Sequence, residues 1–465
     1  MRPRIHRKQE RGQAIVLIAF AFIGLIAMIG LMVDGGMLLI EYGRLKRAID
    51  AASLSAALQY REGYTTAQLT DAATEFLQLN QSDVFDIQVD TDTTDASLLT
   101  NPRRKLVRVT ASRHVRFGFL SVIGIRQVDI TATSVGEAAS VDLVLVLDAS
   151  ASMAFEGGGY PNNADSDLDD PSQCNPTNTC HPFAEIKAVA AQFINQLYFP
   201  YDRVGIEIFD RNVREVLRLD DPKATDKTEV INAIESLTVF DPGIPCDDPV
   251  ENTRVDGAPP THCRKYDPIT NEYRGLEFPF YRSGGNADPS SLPSSNVGDA
   301  LWRAGGQFEH GRQDSLWVVI VLAGGPTNTG GIGRVYAEGR ICPPSTWGAP
   351  YCRRPFANAI SPRPKPGNEN YDADDYARDA ADFIANPITG QGATIFSIGL
   401  GNMVRYASVG DPRSGEKLLQ YAATVAGDES GEQINHGLYF FAPTSSQLRE
   451  IFRTIAESIA TRLSR

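Results

Sequence analysis

The sequence lacks a basic surface and a second apolar run of membrane length. Its 44 Lys and Arg residues stand against 57 Asp and Glu residues, so the formal net charge is −13. A nucleic-acid-binding protein needs a basic surface to displace counterions from phosphates, so we expect no nucleic-acid partner. Only residues 14–33 are apolar enough to cross a bilayer, which excludes a multi-span transporter.

The short motifs of common enzymes are also missing. The six histidines form no H-E-x-x-H pattern, and no G-x-S-x-G elbow occurs. The Gly-rich segments 284–296 and 324–334 lack the Lys of a phosphate-binding loop. Catalysis would need a general base or nucleophile at a defined site, and none is evident. We therefore expect that the chain is not an enzyme.

Residues 14–33 form an uncharged run whose length fits a membrane-spanning helix, which needs roughly 20 apolar residues. A cleaved signal peptide is the alternative, but its apolar core is about 7–15 residues and ends at a small-x-small site. Residues 1–13 hold five basic residues and one Glu, which predicts a cytoplasmic tail. We therefore expect a single-pass protein of the plasma (inner) membrane, with everything after Val33 in the periplasm or at the cell surface.

The six cysteines all follow the predicted span. An even number of cysteines outside the cytoplasm indicates disulfides, although the sequence leaves fifteen pairings open. Pairing of neighbours is the simplest arrangement. Zinc is the competing interpretation, since Cys180-His181 and His262-Cys263 are adjacent, but no C-x-x-C spacing supports it. The cysteines are Cys174, Cys180, Cys246, Cys263, Cys342 and Cys352.

Residues 34–140 are predicted to form a small α+β module. Apolar residues at helical spacing continue the first helix, and a second helix follows, with Thr66 as its N-cap. Alternating residues then predict strands at 84–90, 105–115 and 127–138, with a short helix near 117–123. The plan is pilin-like, and a plain spacer module is the alternative.

From residue 141 the pattern predicts a doubly wound α/β domain that extends to residue 465. VDLVLVLD at 141–148 is apolar without alternation, which suits a strand buried on both faces of a parallel sheet. Helices and strands then alternate to the end of the chain. Three long insertions interrupt them, each with one pair of cysteines, at residues 154–184, 241–293 and 326–375.

Asp148, Ser150 and Ser152 form a D-x-S-x-S pattern where this first strand ends. One carboxylate and two hydroxyls on a tight turn offer the oxygen ligands that Mg²⁺ or Mn²⁺ prefers. A strand-end turn with capping serines would show the same short pattern. Residues 165–170 resemble the opening of a calcium loop but lack the Gly and Glu of an EF-hand, so a solvated acidic loop is favoured over a calcium site of another kind.

Residues 141–463 resemble a von Willebrand factor type A domain. Its metal-ion-dependent adhesion site begins with D-x-S-x-S, matched here by Asp148, Ser150 and Ser152. Ser295, in SSNVGDAL, stands at the position of a later Thr and retains a hydroxyl. Gly324 replaces the Asp of a T-D-G turn, so one expected carboxylate is missing. The resemblance implies the fold and a site for Mg²⁺ or Mn²⁺ whose occupancy this change leaves open.

The N-terminal region resembles the TadE/TadG-like proteins of Flp (Tad) pilus assembly. A basic end and one span lead to AIDAASL at 48–54, which is similar to the alanine-rich stretch of that family. With a type A domain the arrangement is TadG-like. It implies a membrane-anchored binding or adhesion protein whose partners are pilus components and a protein or surface ligand. The alternative is a metal-free structural scaffold or minor pilus component.

Processing of the N-terminus is not expected. Gly12-Gln13 is similar to a prepilin cleavage site, but the early Glu that mature pilins carry inside the span is absent, since Glu10 precedes Gly12.

Overall fold

The computed structural model has two compact units, residues 1–139 and 140–465, which are described separately. Most of the three predicted insertions lies outside the described residues. The described residues are 13–60, 64–101, 103–154, 171–210, 213–240, 295–327, 329–330, 352–353, 373–405, 407–408, 411–428 and 436–463.

The first unit combines two helices with a three-stranded antiparallel sheet in the order β1-β2-β3. In β2, Val107, Val109 and Ala111 are buried and alternate with more exposed residues, as the sequence predicts. The elements are α1 (Gln13–Leu58), α2 (Thr66–Asn80), β1 (Val84–Thr91), β2 (Lys105–Arg116) and β3 (Gln127–Ala138).

Helix α1 changes character along its length. Nearly all described side chains of residues 15–33, here called the apolar segment, are exposed. The helix is long and apolar enough to cross a membrane, with a mean hydropathy of 2.9 in its most apolar window. Farther along, Leu45, Ile49 and Ala52 are fully buried in the first unit.

Helix α2 begins one residue earlier than the predicted cap implies. Thr65, not Thr66, is the N-cap, because its Oγ1 accepts a hydrogen bond from the Gln68 N–H at 3.3 Å. The Thr65 N–H in turn donates to Gln68 Oε1 at 2.9 Å, which completes a capping box. Two adjacent threonines made the cap position ambiguous in the sequence.

The second unit is a doubly wound α/β domain, as predicted. Its sheet has the order β9-β8-β7-β4-β5-β6 and is parallel except for β6, which pairs antiparallel with β5. The strands are β4 (Ser140–Asp148), β5 (Arg203–Phe209), β6 (Val213–Leu217), β7 (Ser315–Ala323), β8 (Thr394–Leu400) and β9 (Tyr439–Ala442). The helices are α3 (Pro171–Thr177), α4 (Phe183–Ile194), α5 (Lys227–Glu235), α6 (Val297–Gln307), α7 (Ala373–Ala385), α8 (Ser414–Thr424) and α9 (Leu448–Leu463).

Helices cover both faces of this sheet. Leu143, Leu145 and Leu147 of β4 pack into one core cluster, with α4, α5 and α9. Val144 and Val146 point to the opposite cluster, with α6, α7 and α8. Both sets of alternating β4 side chains are therefore buried, which explains the uninterrupted apolar run.

A disulfide joins Cys174 of α3 to Cys180, so neighbour pairing is confirmed for these two cysteines. The zinc interpretation is wrong for Cys180, because a sulfur in a disulfide is not available as a thiolate ligand. Helix α3 itself was not predicted within the first insertion. Pairing of the other four cysteines concerns side chains outside the described ones.

Candidate functional site

Asp148 ends β4 at the carboxyl edge of the parallel sheet and is fully buried. The following turn is held in place by its backbone. The Ala149 N–H donates to the Phe209 carbonyl at 2.8 Å, and the Ala149 carbonyl accepts from the Phe240 N–H at 2.6 Å. This edge is where open α/β sheets carry their sites.

The carboxylate of Asp148 is oriented by two backbone donors. Its Oδ1 accepts from the Ser150 N–H and its Oδ2 from the Gly324 N–H, both at 2.9 Å. Burial raises the pKa of Asp148, and the nearby charge of Asp210 raises it further. Hydrogen bonds from Ser150 and Gly324 oppose the rise. The side chain of Ser150 also hydrogen-bonds this carboxylate, so two of the predicted site residues are in direct contact.

Asp210 is a site residue that the sequence analysis missed. It directly follows β5, whose Phe209 is paired with Asp148 in the sheet register, and it is 3% exposed. Its backbone carbonyl accepts a hydrogen bond from the Asn296 N–H at 2.8 Å. A signal was present, because VGIEIFD, like VDLVLVLD, is a buried strand that ends in Asp.

Ser295 is held beside the same edge. It precedes Asn296, the N-cap of α6, and it is 7% exposed. The Thr327 hydroxyl, in the segment after β7, donates to the Ser295 carbonyl at 3.0 Å. Of the predicted site residues, Ser150 is likewise buried, and Ser152 lies in a short 3₁₀ helix, Ala151–Ala154.

Gly324 stands where the resemblance places a second carboxylate, and a neighbouring side chain occupies the space beside it. A Cβ at this position would lie 1.9 Å from Cε of Met153 and 3.7 Å from Oδ2 of Asp148. Met153 is 3% exposed, so its methyl group fills the space that a side chain at 324 would need. An aspartate at 324 therefore requires Met153 to move.

The oxygen atoms at this edge are of the chemical type that a hard cation binds. Asp148 and Asp210 supply carboxylates and Ser150 and Ser295 supply hydroxyls, which are oxygen ligands of the type that Mg²⁺ and Mn²⁺ bind. Within the described part of the chain, no group of three or more His, Cys, Asp or Glu residues is placed to hold a metal. The hydroxyls would therefore have to complete the ligand set. Residues 165–170, the calcium-like segment, lie outside the described residues.

The fold and the residues at the sheet edge define the class of protein. It is an α/β protein with oxygen ligands at the edge of a parallel sheet, preceded in the sequence by a helix long enough to span a membrane. Residues 12–59 match the family model described as putative Flp pilus-assembly TadE/G-like, which confirms the resemblance of the N-terminal region. No curated protein matches the chain.

Several solved structures of pilus proteins are similar to the chain at low identity. The PilB minor pilin from Streptococcus sanguinis is 13% identical, with a TM-score of 0.39, over 82% of this chain and 79% of that chain. The vWF domain of the type V pili tip protein Mfa5 from Porphyromonas gingivalis is 14% identical, with a TM-score of 0.37, over 70% of this chain and 97% of that chain. The pilus adhesin SpaC from Lactobacillus rhamnosus GG is 12% identical, with a TM-score of 0.38, over 82% of this chain and 35% of that chain.

Proposed function

We propose that the chain is a membrane-anchored, extracytoplasmic binding protein of a Flp/Tad-type pilus system. It recognises a protein or surface ligand through a metal-ion-dependent adhesion site and has no catalytic role. The observation that carries the proposal is the convergence of Asp148, Ser150 and Asp210 at one sheet edge, in a chain that also has a TadE/G-like region. Pilus components are its partners in assembly or adhesion.

The metal is Mg²⁺ or Mn²⁺, and its protein ligands come from three segments. Asp148, Ser150 and Ser152 lie on or after β4, and Ser295 precedes α6. Asp210, after β5, adds a second carboxylate to the predicted set. When bound, such an ion supplies a coordination position for a carboxylate oxygen of the ligand. The protein's own part is to orient Asp148 through the N–H groups of Ser150 and Gly324, whose hydrogen bonds oppose the rise in pKa that burial causes.

The membrane topology is part of the same proposal. The apolar segment of α1 spans the plasma membrane, residues 1–13 face the cytoplasm, and the second unit lies outside. The disulfide between Cys174 and Cys180 supports this placement, because structural disulfides persist in oxidising compartments.

A metal-free scaffold that docks to other pilus subunits is the second candidate function. It is favoured by one contact, the Met153 methyl group in the space beside Gly324. An apolar group there leaves one carboxylate fewer near Asp148, and fewer charged ligands weaken divalent-cation binding.

Calorimetric titration of Mg²⁺ and Mn²⁺ into the full chain in lipid nanodiscs tests the metal. We expect saturable binding that Asp148→Asn and Ser150→Ala each reduce by at least about tenfold, since each removes an oxygen ligand or its charge. Glu450→Ala, which removes a carboxylate that is 75% exposed on α9, is the matched control and should bind like the native chain. Circular dichroism checks that each variant folds.

A gain-of-function variant separates the two candidates. Gly324→Asp with Met153→Ala introduces the missing carboxylate and clears its space, so metal affinity should rise by about tenfold or more if a site exists. Absence of binding by the native chain together with strong binding by this double variant would refute the metal-dependent function and favour the scaffold. Absence of binding by both would refute a metal site at this edge.

A further inference from the structure

The hairpin of β2 and β3 lies along α1. Two contacts show which part of the helix each end of the hairpin faces. Near the end of α1, the backbone of Ser53 lies so close to Gly136 that an added Cβ would come within 2.3 Å of it. About three turns earlier in α1, Glu41 forms an ion pair with Arg113 of β2. The hairpin turn therefore points toward the apolar segment of α1.

Asp34 ties this turn to the end of the apolar segment. Its carboxylate is 2% exposed and accepts hydrogen bonds from the N–H groups of Gly118, Phe119 and Leu120 at 2.9, 3.3 and 2.6 Å. Phe119 also packs on Gly30, where an added Cβ would lie 2.7 Å from the Cβ of Phe119. Gly30 belongs to the apolar segment, so the turn lies at the level of its last helical turn.

The tip of the turn is apolar, and its two ends carry positive charge. Val122, Ile123 and Ile125 are 85%, 72% and 49% exposed. A turn in water is usually built from polar residues and glycine, so this tip is unusual for a solvent-facing hairpin. Arg116 and Arg126 are exposed where the loop leaves the two strands. Apolar side chains beside basic ones are typical of segments that lie in a lipid interface.

We propose that residues 117–126 form a second membrane-contacting element, here called the interfacial loop. Val122, Ile123 and Ile125 enter the acyl region of the leaflet at the C-terminal end of the apolar segment. Arg116 and Arg126 face the lipid phosphates. The partner is the lipid bilayer, because the loop is continuous with the apolar surface of α1. The inference rests on the membrane anchoring in the proposed function, and it adds a contact that fixes the rotation and tilt of α1.

Tryptophan fluorescence in vesicles tests the interfacial loop. The full chain with Ile123→Trp is reconstituted in phosphatidylethanolamine and phosphatidylglycerol, with and without lipids brominated on their acyl chains. We expect the added emission to be blue-shifted and to be lost with brominated lipid, since bromine quenches only at short range. The native chain, with its three tryptophans, provides the background to subtract.

Two matched variants make the outcome decisive. Phe22→Trp reports on the apolar segment, and Leu99→Trp, at a residue 50% exposed in the β1–β2 connection, reports on a surface away from the turn. Quenching at 22 and 123 but not at 99 supports the loop. If only the Phe22→Trp variant is quenched, the inference about the loop is wrong and the membrane span in the proposed function stands. If neither the Phe22→Trp nor the Ile123→Trp variant is quenched, both are refuted.

One further outcome would identify another partner. If the indole introduced by Ile123→Trp is shielded from aqueous acrylamide but unaffected by brominated lipid, a protein covers the tip and the lipid assignment is wrong. The side chain of Ile123 is largely exposed in the native loop, so this substitution should not disturb the fold.

Discussion

Single side chains determine the charge at the sheet edge. Met153 fills the space next to Gly324, while Asp210 brings a carboxylate from the neighbouring strand β5. The edge thus keeps two carboxylates, Asp148 and Asp210, although one of them comes from a different strand end than the resemblance implies. A metal bound here would have these two carboxylates and the hydroxyls of Ser150 and Ser295 as its protein ligands.

A second buried carboxyl, Glu207, lies in the interior of the same domain. It is fully buried in β5, where its Oε1 accepts from Nε2 of Gln307 at 2.6 Å. Among the described residues, its Oε2 has no hydrogen-bond partner. Burial, together with the charge of Glu215, raises the pKa of Glu207 to about 7.

The raised pKa of Glu207 predicts a pH-dependent stability. Between pH 4.5 and about 7, the folded state keeps a proton on Glu207 that the unfolded state has released. The free energy of unfolding therefore decreases as the pH rises through this range and is highest below it. Glu207→Gln should abolish this loss. At pH 8 the variant should be more stable than the native chain by up to about 3 kcal/mol, and at pH 4.5 the two should be similar. Denaturant unfolding at both pH values measures the difference.

Glu450→Gln, at an exposed position on α9, is the control for this prediction and should follow the native chain at both pH values. An identical pH dependence in Glu207→Gln and the native chain would contradict the raised pKa.

At the scale of elements, helix α1 and strand β3 are in close contact because Gly136 of β3 has no side chain to separate the two backbones. A Cβ at Gly136 would lie 2.3 Å from the Ser53 carbonyl and 2.6 Å from the Leu54 nitrogen. Because neither backbone atom can move without shifting the helix, Gly136→Ala should destabilise the first unit by about 1–3 kcal/mol. Hydrogen exchange of peptides from residues 105–138 measures this locally, and exchange there should become faster.

Gly43→Ala, in the same unit, should have the opposite effect on stability. Its Cβ would meet only the flexible Arg47 side chain at 3.7 Å, and alanine favours a helix over glycine by about 1 kcal/mol. Exchange should slow or stay unchanged. Equal effects of the two substitutions would show that the contact between Gly136 and Ser53 is unimportant.

The elements could be predicted from local pattern, and their contacts could not. The uninterrupted run of β4 and the alternation in β2 both follow from burial on two faces or one. Asp210 joins Asp148 only through the register of β5 with β4, and Met153 meets Gly324 across 171 positions of sequence. Such contacts depend on tertiary packing. The hydrogen bonds from the β2–β3 turn to Asp34 depend on the same kind of long-range placement.

At the scale of the whole molecule, charge is distributed unevenly along the chain. The five basic residues of segment 1–13 precede the apolar segment, while the rest of the chain carries a formal charge of −17. A basic flank on one side of a span orients it with that side in the cytoplasm. In the topology proposed above, Cys174 and Cys180 lie outside the cytoplasm, where disulfides form and persist.

This link predicts that the disulfide reports on the orientation of the chain. Replacing all five basic residues of segment 1–13 by Gln should remove the orientation bias, so that a fraction of chains keeps Cys174 and Cys180 reduced in the cytoplasm. Alkylation of thiols in intact cells, followed by mass spectrometry of the peptide that contains both cysteines, measures that fraction. Replacing the exposed Arg449 and Arg453 of α9 by Gln should leave it near zero. A disulfide that stays fully formed in the five-residue variant would show that the basic tail does not set the topology.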